Sequence, residues 1–143
     1  MTEEHNKPQD SDESSVVAIR DENDRFLILR RTSADEEQWM PGKWSLPGGH
    51  IIIGEAPVDG GIREVWEETG LMVSNLKFIK KTGMTKTIYL YTTTDYSGEI
   101  NLDTDENDQH AWASIEELDN YDTVPDLREF LAYLVKGEQY DED

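Results

Sequence analysis

Apolar and polar positions alternate along "RFLILRR" (25–31), with Phe26, Ile28 and Arg30 on one side and Leu27, Leu29 and Arg31 on the other. The preceding "SSVVAIR" (14–20) is rich in strand-forming residues, and "DEND" (21–24) between the two has turn chemistry. Together they predict a hairpin. Further strands are expected at 76–83, 85–96 and 109–113, with two short extended runs in 43–53 around a glycine turn. The period changes to 3.6 twice. Pro57 in the first turn and Gly70 past the last bound a helix over 56–69. In 124–137, Leu127, Phe130, Leu131 and Leu134 recur at i, i+3, i+4 and i+7, and Gly137 stops the helix. A Ser-x-x-Glu capping box at 114–117 starts a short helix between them. Strands, helix, strands, helix predicts a single α/β domain in which helices cover a mixed β-sheet.

The pattern stops near both ends. Residues 1–14 and 138–143 read as acidic tails, the first expected to be disordered, around a domain at 15–137. No apolar run reaches 18 residues, and the acidic N-terminus lacks a signal-peptide core. With no cysteine, disulfides, thiolate metal sites and a cysteine nucleophile are excluded. A cytoplasmic location is expected. The net charge is −19, of which each tail holds −4. Basic patches are what bind duplexes and anionic bilayers, so neither DNA nor a membrane is an expected partner. The acid excess has two readings, solubility or the binding of divalent cations.

The stretch "GGIREVWEETG" (60–70) carries a local conflict. At about 100° per residue, Gly60, Gly61, Glu64, Glu67 and Glu68 share one face. Val58, Ile62, Val65, Trp66 and Thr69 lie opposite and are expected to form the buried stripe. Each interior glycine costs about 0.8–1 kcal/mol, and each like-charge i, i+3 or i, i+4 pair roughly 0.2–0.5 kcal/mol. Conflicts summing to about 2–3 kcal/mol mark functional sites. Taken alone, the helix leaves two readings open: a solvated acidic face, or three hard oxygen donors converging on Mg²⁺ with Arg63 holding a carboxylate in place. The glycines give clearance to another backbone or to a substrate.

The flanking residues extend the pattern. From Gly49 the chain reads glycine, five residues, Glu55, seven residues, Arg63-Glu64-Val65, one residue, Glu67-Glu68, one residue, Gly70-Leu71. These nine positions resemble the Nudix box at every defining residue, and the order of elements is compatible with the Nudix α/β/α sandwich. The resemblance implies hydrolysis of a nucleoside diphosphate linked to another moiety, with water attacking phosphorus. It implies Mg²⁺ or Mn²⁺, more than one ion per site, held by Glu64 and Glu68, with Glu67 direct or through water. The backbone carbonyl of Gly48 is a further ligand by the same resemblance. Glu55 and Arg63 match the orienting pair, and Glu64 matches the position of the general base in some members. Other members supply a glutamate from a late loop, here "DTDENDQHAW", where Glu106 is the match. Gln109 replaces a glutamate often found there, which favours Glu64 as the base. His110 is a weaker candidate. Many members form homodimers, although no interface is readable.

Substrate contacts are expected from the scarce cations and from aromatics. Arg30, Arg31 and Lys43 are candidates for phosphate, and Trp39 and Tyr89 for stacking on a base. The competing class is a non-catalytic nucleotide-binding or regulatory module on the same scaffold. A third reading is an acidic interaction protein with a structural metal.

Overall fold

Phe26, Leu27, Ile28 and Leu29 are all buried, so the strand they form has protein on both faces. The computed structural model describes residues 9–32 and 40–137. In chain order the elements are β1 (Asp10–Ile19), β2 (Phe26–Arg31), β3 (Trp44–Ser45), β4 (Gly48–Ile52), α1 (Pro57–Thr69), β5 (Met72–Ser74), β6 (Lys77–Thr82), β7 (Ile88–Thr93), β8 (Asp95–Ser97), β9 (Asn107–Ala113), a 3-10 turn (Glu116–Asn120) and α2 (Leu127–Lys136). A mixed sheet runs β4-β1-β7-β6, an antiparallel sheet runs β3-β2-β9, and β5 pairs with β8. Val17, Ile19, Leu27 and Leu29 pack with Val65 of α1. Their alternates Ala18, Phe26 and Ile28 pack with Leu127, Phe130 and Leu131 of α2. The result is the expected single α/β domain, two helical layers on a strand layer. Among the described residues no helix is long and apolar enough to cross a membrane.

Several details depart from the sequence reading. β1 begins at Asp10, inside the segment expected to be a disordered tail, because residues 10–16 pair with β4. Residues 1–8 and 138–143 lie outside the described residues. β1 and β2 do not form a hairpin. Only Arg20 and Phe26 bridge at the turn, after which the strands diverge into different sheets. The short β5–β8 ribbon was not anticipated, since three-residue strands carry no periodic signal.

The first helix shows why its glycines are there. Pro57 starts it and Gly70, at φ 80°, ends it. The glycine face turns toward the sheet rather than away from the protein. A Cβ on Gly61 would lie 3.1 Å from Val17 Cγ2, and one on Gly60 would lie 3.1 Å from Glu55 Oε1. Clearance is therefore given to the protein's own sheet, so that α1 settles close onto β1 and β4. Trp66, placed by periodicity in the buried stripe, is 58 % exposed, whereas Glu68, on the face expected to be open, is 4 % exposed. The second short helix follows expectation. Ser114 N–H donates to Glu117 Oε1 at 2.9 Å, and Glu117 N–H donates to Ser114 Oγ at 3.2 Å, a complete capping box.

Candidate active site

Close docking of α1 on β4 presses its carboxylates against glycine backbone. The Gly48 N–H donates to Glu68 Oε1 at 2.9 Å. Glu64 lies over Gly49, where a Cβ would come within 2.1 Å of Glu64 Oε2. The loop before β9 supplies the third group. Its backbone is tied to the end of α1, Asn101 N–H donating to Thr69 O at 2.6 Å and Asp103 N–H to Glu68 O at 3.0 Å. Beyond this tether Glu106, itself exposed, reaches the same place. One carboxylate oxygen each from Glu64, Glu68 and Glu106 lies within 4.8 Å of the others.

Three carboxylates this close, two of them largely buried, are poorly compensated. Burial pushes the Glu68 carboxyl well above its usual range, the Gly48 N–H pulls it back, and Glu106 and Glu64 push it further up. Burial raises Glu64 to about 7 against the opposing pull of Arg63. Arg31, at the end of β2, supplies positive charge: burial pulls its guanidinium below the usual value, while Glu68 and Glu106 pull it up. A cluster that retains protons near neutrality is one from which a divalent cation would displace them. The donor set, three hard oxygens with backbone close by, fits Mg²⁺ or Mn²⁺.

Arg63 organises the rim. Its Nε and Nη2 donate to Glu55 Oε2 at 2.9 Å and Oε1 at 3.0 Å, a two-pronged pair. Nη2 also reaches His50 O at 2.9 Å, and Nη1 reaches Glu64 Oε1 at 2.8 Å and Glu67 Oε1 at 3.0 Å. Glu55 in turn accepts the Ile52 N–H at 3.0 Å, and Arg63 holds its carboxyl below the usual range. One guanidinium thus fixes the loop after β4 and one edge of Glu64.

The structure brings together Glu64, Glu68, Glu106 and Arg31, with Arg63 and Glu55 behind Glu64. Glu67, expected among the metal ligands, falls outside the converging trio and leans on Arg63, because its position on the helix carries it about 100° away from Glu68. At Gly48, expected to offer its carbonyl, the group engaged at the cluster is the N–H, which donates to Glu68. Arg30 and Lys43, expected at phosphate, are held by Asp108 and Asp122 at 2.7–3.0 Å. The Tyr89 hydroxyl donates to Glu13 Oε2 at 3.3 Å. Trp39 lies outside the described residues. His110 is exposed on β9 opposite Leu29. Asp108 was missed, since its pairing with Arg30 depends on a strand register that no local motif announces.

Gly49 yields a direct test. Its φ is not positive, so alanine is tolerated by the backbone, and the Cβ conflict is with the movable end of Glu64. Gly49→Ala is expected to leave the melting temperature within a few degrees but to lower turnover by about 10²-fold, the cost of misplacing a reacting group by about 1 Å. Thermal melting and steady-state kinetics on the same preparation check this.

Comparison with known proteins places this geometry. A family model described as NUDIX domain matches residues 11–134. The m7GpppN-mRNA hydrolase NUDT17 of Bos taurus is 38 % identical over 63 residues, 44 % of this chain and 20 % of that protein. The 8-oxo-dGTP diphosphatase of Escherichia coli (strain K12) is 34 % identical over 67 residues, 47 % of this chain and 50 % of that protein. The matched segments thus span a fifth and a half of those relatives. A MutT NUDIX hydrolase from Burkholderia pseudomallei superposes with TM-score 0.72 at 22 % identity, covering 83 % of this chain and 94 % of that one.

Proposed function

The chain belongs to the NUDIX family, and from that premise we propose that it is a divalent-metal-dependent pyrophosphohydrolase acting on a nucleoside diphosphate linked to another moiety. The observation that carries this reading is the convergence of Glu64, Glu68 and Glu106 beside Arg31. Glu64, Glu68 and Glu106 would hold the cation, with the Gly48 carbonyl and Glu67 as outer or water-mediated donors. Mg²⁺ or Mn²⁺, when bound, supplies neutralisation of phosphate oxygens and eases the deprotonation of water.

The remaining work falls to the chain itself. Glu64 takes the proton of the attacking water. Its Oε1 is held by Arg63 and its Oε2 lies over Gly49 beside the other two carboxylates, so a fixed carboxylate stands next to the water that the cation would hold. Arg63 and Glu55 hold Glu64 against rotation. Arg31, close enough to Glu68 and Glu106 to interact with both, stabilises charge that gathers on the phosphates as the anhydride bond breaks. The two sequence relatives are named for acting on a cap structure and on a modified nucleoside triphosphate, both phosphate anhydrides of nucleosides. That shared chemistry supports the class of substrate.

The test is a panel of nucleoside triphosphates, including an oxidised one, a cap dinucleotide, diadenosine polyphosphates and an ADP-sugar, with products separated by chromatography. Turnover of at least one compound in Mg²⁺ or Mn²⁺, abolished by chelator, is the expected result. Tight nucleotide binding with no turnover in either metal would favour a non-catalytic nucleotide-binding module instead.

A further inference from the structure

Strands β2 and β9 pair in regular antiparallel register from Phe26–Ala113 to Arg30–Gln109, and the next pair is Arg31–Asn107. One step along β2 spans two along β9, so Asp108 is the extra residue of a bulge. Its side chain is gripped by the fork of Arg30, Nε to Oδ1 and Nη2 to Oδ2, both at 2.7 Å. Two residues upstream stands Glu106, whose carbonyl accepts the Thr32 N–H at 2.9 Å and whose carboxylate joins Glu64 and Glu68. The other side of this short loop is anchored by Glu106 N–H to Asp103 O at 3.1 Å.

We propose that Arg30 and Asp108 are a positioning pair: the fork fixes the bulge in β9 and thereby aims Glu106 at Glu64 and Glu68. The inference rests on the metal-site reading of that trio. Bulges re-aim side chains next to sites, and a one-residue slip of pairing turns every residue beyond it to the opposite face. If the bulge is ironed out, the turn that carries Glu106 enters β9 one residue out of phase, and Glu106 is aimed away from the trio. The pair is about 30 % exposed on both sides. An ion pair that accessible contributes little to global stability. What a two-pronged guanidinium–carboxylate contact adds is a fixed geometry, which lysine cannot reproduce. Arg30 is thereby removed from the phosphate-binding set, whereas its neighbour Arg31 interacts with Glu68 and Glu106 of the trio.

The experiment uses the full chain and Mn²⁺ as probe, with binding measured by calorimetry and turnover on the best substrate measured alongside. The variants are Asp108→Ala, Arg30→Met, Glu106→Gln and the double variant Glu106→Gln/Asp108→Ala. Asp108→Ala and Arg30→Met are expected to weaken Mn²⁺ binding and lower kcat by about 10- to 100-fold, the range for supports of a metal site. KM should change little, and melting temperatures should stay within a few degrees. In the Glu106→Gln background Asp108→Ala should cost less than about twofold further, because a residue acting through Glu106 has nothing left to position. Equal costs in both backgrounds overturn the proposal, as does a rise in KM alone for Arg30→Met, which marks a phosphate contact. A normal Mn²⁺ affinity in Glu106→Gln sinks the ligand reading of Glu106, and the positioning role with it. A weakened Glu106→Gln beside an unaffected Asp108→Ala sinks the positioning role alone.

Discussion

Glu64→Gln and Glu68→Gln are each expected to reduce kcat by about 10²–10⁴-fold at saturating Mg²⁺, the range for loss of a positioned base and its partners. Glutamine keeps the shape of the side chain and one oxygen but removes the charge that a hard cation requires. The two losses have different origins. Glu68 is 4 % exposed and accepts the Gly48 N–H, so its substitution leaves the fold intact while removing the donor at the floor of the site. Glu64 lies above Gly49 with its outer oxygen on Arg63, so its substitution also removes the proposed proton acceptor. Glu67→Gln is the internal control. Its side chain is 48 % exposed and outside the converging trio, so its loss should be tenfold or less. Wild-type rates in both Glu64→Gln and Glu68→Gln would show that this cluster does not hold the catalytic metal. A Glu67→Gln loss as large as theirs would show that Glu67 joins the metal-binding set although it lies outside the trio here.

The contrast between Glu67 and Glu106 shows what the sequence carries. The spacing of Arg63, Glu64, Glu67 and Glu68 is local, and helical geometry converts it into a face of α1 without knowledge of the rest of the fold. Which part of that face is buried is decided by the sheet below. The glycines let α1 sink onto β1 and β4, taking Glu68 inside and leaving Trp66 outside, an outcome that a hydrophobicity pattern reads backwards. Glu106 depends on still more distant relations. Its direction is set by a loop tied to the end of α1, by pairing with Thr32 and by a bulge opposite Arg30. None of these is local, so the resemblance could name Glu106 but could not show that its carboxylate reaches Glu64 and Glu68. The same cause explains β1 and β2. Their turn and alternation match a hairpin, but the segments flanking the turn, Val16–Ile19 and Phe26–Leu29, are apolar on both faces, and burying two faces is better met by strands in different sheets beneath two helices.

The metal-free protein is expected to lose stability as pH rises from about 4.5 to about 7, the reverse of the usual acid-side behaviour. The unfolded Glu64 ionises near 4.5, whereas in the folded state burial raises it to about 7. Between those values the unfolded chain releases a proton that the native cluster retains, so the stabilising contribution is complete below 4.5 and gone above about 7. That difference corresponds to about 3 kcal/mol at Glu64 alone. Glu68 is shifted in the same direction by burial and by its neighbours, so it adds to the slope. Glu55 and Asp108 have the opposite sign, each held below its usual value by an arginine. Their contribution is lost only as pH falls below the ordinary carboxylate range, so the interval from pH 5 to 8 isolates the cluster. Saturating Mg²⁺ should abolish this loss, because the cation binds the deprotonated carboxylates and its affinity rises as their protons leave. Denaturant unfolding at pH 5, 6, 7 and 8, in chelator and in Mg²⁺, measures both curves. They should diverge as pH rises, and in Glu68→Gln the chelator curve should flatten while the Mg²⁺ increment shrinks. Parallel curves in chelator and Mg²⁺ would mean that no cation enters between Glu64, Glu68 and Glu106.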